Sequence, residues 1–186
     1  MNRKQAYEIV KEFVTNENLI RHMLAVEASM EDYAHLWGED PNEWGLAGLL
    51  HDFDWEIHPT LETHPQEGAS ILRERGVPDK IIRGILSHAD HTGVPRETRM
   101  ERALMACDEI TGLITAVALV RPSRSIHDVE VKSVKKKWGE QRFAANVNRE
   151  EIEKAVEALD LDLWEHVGHI LQSMQRIAPQ LGLDGD

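Results

Sequence analysis

The sequence predicts an all-α fold, a compact multi-helix bundle. Apolar residues recur at helical spacing along almost the whole chain, and strand-like alternation is nearly absent. Capping residues, glycines and prolines punctuate the pattern at helix-length intervals. The first segment, about Lys4 to Val14, carries Tyr7, Val10, Phe13 and Val14 on one side. The second, about Asn18 to Trp37, places Leu19, Met23, Val26 and Met30 at helical spacing, and Gly38 reads as its stop. Asp40-Pro41-Asn42-Glu43 then combines a cap, a first-turn proline and the acidic end of a capping box. The helix it opens, to about Phe53, is rich in Gly, Ala and Leu, which predicts close helix packing.

His58-Pro59-Thr60 breaks the pattern. Thr63-His64-Pro65 is expected to open a fourth helix ending at Gly76, and Pro78 a fifth ending between Ser87 and His91. A long sixth helix runs to Val120, where Arg121-Pro122 ends it. Residues 123 to 148 are more polar. Lys132, Lys135, Lys136 and Lys137 read there as a solvated helix face, with a grip on substrate phosphate as the lesser alternative. Asn148 to Glu151 and Asp162 to Glu165 each resemble a capping box, the second opening a last helix to about Ala178. With no linker or repeat, the expectation is one domain over 1–186. Its core spans about 17–120, and a helical C-terminal extension, 123–186, caps a pocket or completes the core.

Composition narrows the function. The chain has 186 residues, 41% hydrophobic and 29% charged, and a mean hydropathy of -0.43. That is a globular balance, and no membrane association is expected. The most apolar run, Ala103 to Val120, is interrupted by Asp108 and Glu109, which favours a buried helix over a bilayer span. The first residues run directly into an amphipathic pattern, so no secretion signal is expected. The single cysteine, Cys107, excludes an internal disulfide and a cysteine-based zinc site, and is read as a small packing group. A cytoplasmic location is expected. A net charge of -12 opposes non-specific nucleic-acid binding, yet permits an anionic substrate where metal ions supply positive potential.

Ten histidines are many for this length, and several stand beside acidic or small residues. In Leu49-Leu50-His51-Asp52 an apolar helix delivers an imidazole and a carboxylate side by side, a pair that a borderline metal accepts together. Asp108, within Ala103-Leu104-Met105-Ala106-Cys107-Asp108, needs a cation, hydrogen bonds or an exposed face, because a lone carboxylate is disfavoured in a core. Glu109 is expected on the exposed face. His22 lies on an amphipathic helix, and His64, His88 and His91 form a further group, with Asp90 as a hydrogen-bonding neighbour. Each residue alone has a plainer reading: a surface helix end for His51-Asp52, an ion pair with arginine for Asp108, a structural role for His22, a polar turn for His91. His166 and His169 are read as surface or packing residues, and Arg21 and Arg96 as surface residues before phosphate ligands.

Together, His22, then His51-Asp52, then Asp108 resembles the H…HD…D order of the HD-domain metal-dependent phosphohydrolases, over about residues 17 to 120. A closer resemblance is to small HDIG-type proteins and their diiron relatives, which add two histidines, matched here by His64 and His88. The wording departs from strict HDIG, since this chain reads His51-Asp52-Phe53-Asp54. By that resemblance Asp52 bridges two metals, His22, His51 and Asp108 hold one, and His64 and His88 hold the other. The implied cofactor is one or two divalent transition ions, from Fe, Mn, Zn, Ni or Co. The implied reaction is hydrolysis of a nucleotide or other small phosphoester by metal-activated water. Asp52, Asp54 and Glu56 are the catalytic candidates, with Asp54, Glu56 or His58 orienting water or protonating the leaving oxygen. Two alternatives stand beside this: a diiron HD-type oxygenase, and a non-catalytic nucleotide-binding regulatory module. A homodimer is a candidate assembly.

Overall fold

The computed structural model describes residues 1–145 and 147–185. Among them lie ten α-helices and no strand. These are α1 (Arg3–Phe13), α2 (Glu17–Trp37), α3 (Pro41–Leu50), α4 (Gln66–Glu74), α5 (Asp79–Ser87), α6 (Arg99–Leu119), α7 (Val131–Trp138), α8 (Arg149–Glu157), α9 (Leu163–Arg176) and α10 (Ala178–Leu181). Short 3-10 turns cover Asp90–Thr92 and Ile126–Asp128. No helix among the described residues is long and apolar enough to cross a membrane.

Side-chain oxygens start most of these helices. Asn16, Asp40, Asn148 and Asp162 each accept a hydrogen bond from first-turn backbone amides, satisfying donors that the helix leaves free. Thr98 and Glu101 form a reciprocal capping box at the start of α6 that was not anticipated from the sequence. Two boundaries differ from expectation. α3 stops at Leu50, and His51 to Ile57 continue as tight turns held by Trp55 N to Asp52 O and Ile57 N to Asp54 O bonds, both 3.0 Å. α4 opens at Gln66, because a residue preceding proline, here His64, is disfavoured in helical conformation.

α2, α3 and α6 form the centre. Trp44 to Leu50 are all buried, which is where a helix apolar on every side must lie. α3 packs against α1, α2, α5 and α6. Its approach to α2 is so close that a Cβ on Gly48 would sit 2.9 Å from the Glu27 backbone. The C-terminal helices close over this centre: α8 packs on α6, α9 on α2 and α6, and α7 on α6 and α9. Val134 buries one side of α7, while Lys132, Lys135 and Lys136 are exposed on the other. Cys107 is fully buried.

His166 joins the C-terminal segment to the centre. Its Nε2 donates to Ala106 O at 2.9 Å, and its Nδ1 accepts from the Tyr33 hydroxyl at 2.6 Å. Burial pushes its pKa down to about 4, against about 6.5 in an unfolded chain. Between these values the unfolded chain takes up a proton that the folded chain refuses. The stability tied to the neutral imidazole is therefore complete above about pH 6.5 and declines as pH falls toward 4, by about 3 kcal/mol. His166→Gln is expected to lower stability at neutral pH and to lose less on acidification. Urea midpoints at about pH 7.5 and about pH 4.5 test this linkage. An equal acid loss in both proteins would assign the sensitivity to other groups.

Candidate metal centre

His22 comes from the second turn of α2, His51 and Asp52 from the turn after α3, and His64 from the loop before α4. His88 caps the end of α5, and Asp108 lies midway along α6. The fold brings these six side chains into one cleft. His22, His51 and Asp108 form one cluster able to hold a metal ion, and Asp52, His64 and His88 a second. Ligand atoms within each cluster lie within 4.8 Å of one another.

Asp52 stands between the clusters. Its Oδ2 is 3.6 Å from His22 Nε2 and 3.4 Å from His51 Nε2. Its Oδ1 is 3.3 Å from His64 Nε2 and 3.7 Å from His88 Nε2. Asp108 Oδ1 lies 3.0 Å from His22 Nε2 and 3.5 Å from His51 Nε2.

The outer nitrogens fix the tautomers. His51 Nδ1 donates to Gly48 O and His88 Nδ1 to Ile85 O, since a carbonyl can only accept. His64 Nδ1 donates to Asp54 Oδ1 at 2.8 Å. The Thr111 hydroxyl donates to Asp108 O at 2.7 Å, so its oxygen is left to accept from His22 Nδ1 at 3.3 Å. In its neutral form each of the four imidazoles therefore turns its Nε2 lone pair inward. His22 and His51 Nε2 are 3.1 Å apart, and His64 and His88 Nε2 are 3.4 Å apart. Two lone pairs cannot hydrogen-bond each other, so a proton or a metal cation must lie between them. A donor set of four nitrogens and two carboxylates fits a divalent transition ion.

The electrostatics describe the same negative field. Burial works to raise the Asp52 and Asp108 carboxyls, but the His51 imidazole and hydrogen bonds from the histidines hold both well below the usual range. Burial works to lower His51, yet Asp52 and Asp108 raise it well above an ordinary imidazole. His64, lowered by burial and raised by bonds to Asp52 and Asp54, ends at about 9. His88 is lowered, chiefly by burial. A field that retains protons at these nitrogens also attracts a cation.

Asp54 and Glu56, expected beside the reacting water, do not line the cleft. Asp54 is fully buried and accepts from both His64 Nδ1 and the Gly68 amide. A Cβ on Gly68 would lie 2.4 Å from Asp54 Cγ, so only glycine leaves room for that carboxylate. Glu56 accepts from the Thr15 and Asn16 amides and the Thr15 hydroxyl, tying down the link between α1 and α2. The tight turns after Leu50 aim these carboxylates away from Asp52. Asp54→Ala is expected to lower metal affinity of the Asp52–His64–His88 cluster by about 10–100-fold, the usual effect of losing a histidine's orienting partner. Metal titration of the purified variant checks this, and unchanged affinity would show that His64 is held without Asp54.

The cleft has a volume of about 550 Å³. Beyond the clusters, Trp55, His91, Glu109 and Glu151 line it. Trp55 stands edge-on to His64, and His91 Nε2 donates to His64 O at 2.7 Å. Glu109 is not on an open face: burial, with Asp108 adding to it, pushes its pKa up to about 7. Its neighbourhood is made by α8, which supplies Glu151, and helical spacing along α6 carries no signal of that cover. Thr111 had a local signal, lying three residues beyond Asp108 on the same helix. Asp90 and Arg96 pair with each other, and Arg21 pairs with Glu17.

A cleft of inward imidazoles on an all-α frame belongs to a known class. The family model described as HD domain matches residues 19–113. The chain belongs to the HD-domain family, whose members are generally metal-dependent phosphohydrolases. The match runs from α2 into α6 and includes all six cluster residues. No curated protein and no solved structure matches the chain significantly.

Proposed function

We propose that this chain is a metal-dependent phosphohydrolase acting on a nucleotide or another small phosphoester in the cytoplasm, with the segment after Pro122 forming part of the same domain. The observation that carries this reading is Asp52, whose two oxygens face two separate histidine pairs. His22, His51 and Asp108 would hold one ion, His64 and His88 the other, and Asp52 both. Divalent ions bound there would make water more acidic and offset negative charge on the phosphoryl oxygens.

The chain's own groups do the rest. Asp54 fixes the His64 ring, Thr111 the His22 ring, and the Gly48 and Ile85 carbonyls the other two. Asp52, held anionic by the histidines around it, orients the attacking water by accepting a hydrogen bond from it. Glu109, a cleft carboxyl outside both clusters, donates a proton to the leaving oxygen, a role the sequence leaves among Asp54, Glu56 and His58. Trp55 and Leu61 form an apolar side of the cleft that limits water.

The test is metal content by elemental mass spectrometry, with a phosphoester panel on the same sample. About one or two transition ions per chain with metal-dependent phosphate release is the expected result. No metal after reconstitution with Mn, Fe and Ni, and no phosphate release, would overturn the reading and leave a binding module. Oxygen uptake by Fe-loaded protein without phosphate release would favour the oxygenase.

A further inference from the structure

A second cavity of about 530 Å³ adjoins the metal cleft, and the two share His22 and Gly112. Its charge is opposite in character. The metal cleft is lined by Asp52, Asp108, Glu109 and Glu151, whereas the second cavity is lined by Arg124 and by Arg21, whose exposed partner Glu17 lies outside the lining, and by no carboxylate. In a chain of net charge -12 such a pocket needs a reason. Its remaining lining includes the polar Asn18 and Thr115 and the apolar Leu119, Leu181 and Leu183.

Two local features shape this cavity. Gly112 lies in mid-helix, four residues from Asp108 and on the same face, with nothing within 4 Å of where its Cβ would be. A mid-helix glycine destabilises a helix relative to alanine, and no close contact requires one here. It leaves open space at the boundary that the two cavities share. The Arg21 guanidinium rests against Gly182, 3.1 Å from the position of an added Cβ.

We infer that the second cavity receives the part of the substrate beyond the reacting phosphoryl group, and that this part carries a second anionic group bound by Arg21 and Arg124. The substrate class is thus a phosphoester with a further phosphate or carboxylate. This rests on the phosphohydrolase reading. A cation facing an oxyanion in a shared cleft makes a charge-assisted hydrogen bond, stronger than a neutral one. The apolar wall suits the carbon skeleton between the two groups.

The experiment compares two pairs on the metal-loaded protein: adenosine 3′,5′-bisphosphate with adenosine 5′-monophosphate, and fructose 1,6-bisphosphate with fructose 6-phosphate. Hydrolysis of p-nitrophenyl phosphate, which has no second anion, reports on the phosphohydrolase reading separately. In at least one pair the doubly charged member is expected to show a higher kcat/KM. Arg124→Ala is expected to reduce that preference by about 10–100-fold, the range for one charged hydrogen bond. Gly112→Leu, which places a bulky side chain at the shared boundary, is expected to reduce it too. Calorimetric binding of the bisphosphates gives the same comparison if none is hydrolysed. No preference for either bisphosphate, or a preference untouched by Arg124→Ala, overturns the inference. So does loss of the preference in Arg102→Ala alone, which would put the second anion at the opposite end of the cleft, beside Arg96 and Lys154.

Discussion

Asp52→Ala is expected to strip metal from both clusters at once and to reduce turnover by more than about 100-fold. That figure is the upper range for removing only a group that orients a ligand, and Asp52 stands closer. Its oxygens lie 3.3 to 3.7 Å from four imidazole nitrogens. Removing it takes away the carboxylate that pairs with all four nitrogens, whereas Asp108 pairs closely with only His22 and His51. The His64–His88 pair then keeps no cleft carboxylate, and Asp54 binds the far side of the His64 ring. Elemental analysis and phosphate release on the same preparation measure the effect. Urea denaturation shows whether the variant is folded. A folded variant with full metal content and full turnover would overturn the assignment of the centre.

Gly48→Ala is expected to lower stability by about 2 kcal/mol and to weaken metal binding with it. An added Cβ would meet Glu27 Cα and N at 2.9 Å and Val26 C at 3.0 Å. All three are backbone atoms of α2, so no rotamer change relieves the contact and α3 must lift. Overpacking of this kind costs about 1–3 kcal/mol and occasionally more. Alanine's advantage as a helix former, about 1 kcal/mol, offsets part of that. Steric cost wins because backbone cannot step aside. The metal effect follows from the same displacement: α2 carries His22, the Gly48 carbonyl orients His51, and their Nε2 atoms are 3.1 Å apart. A chain of this size loses about 2–4 °C in Tm per kcal/mol, so calorimetry resolves the change. Equal or higher stability, with unchanged metal affinity, would show that the helices separate freely.

Much of the fold was legible in the chain because its signals are local. Asn16, Asp40, Asn148 and Asp162 start helices through oxygens that act on amides two or three residues away. The small residues of Trp44 to Leu50 announced a close helix contact, and Gly48 makes it. The order His22, His51-Asp52, Asp108 pointed to the family by its resemblance to the H…HD…D motif, and periodicity placed those residues on or beside helices.

What the chain could not state was orientation. Asp52, Asp54 and Glu56 alternate within five residues, and composition alone makes them equivalent. The tight turns after Leu50 send Asp52 into the cleft, Asp54 behind His64 and Glu56 toward α2. Glu109 reads as solvent-facing until α8, forty residues further on, closes over it. The arginine-lined cavity joins residues from α2, α6, the loop at 124 and the turn at 182. The sequence by itself thus determined the helices, because caps and periodicity act within a turn or two, and the order of its His and Asp residues carried the resemblance to the family. Only the tertiary structure decided which carboxylates meet which imidazoles and where positive charge gathers. Those depend on side-chain directions and on contacts between residues far apart in the chain.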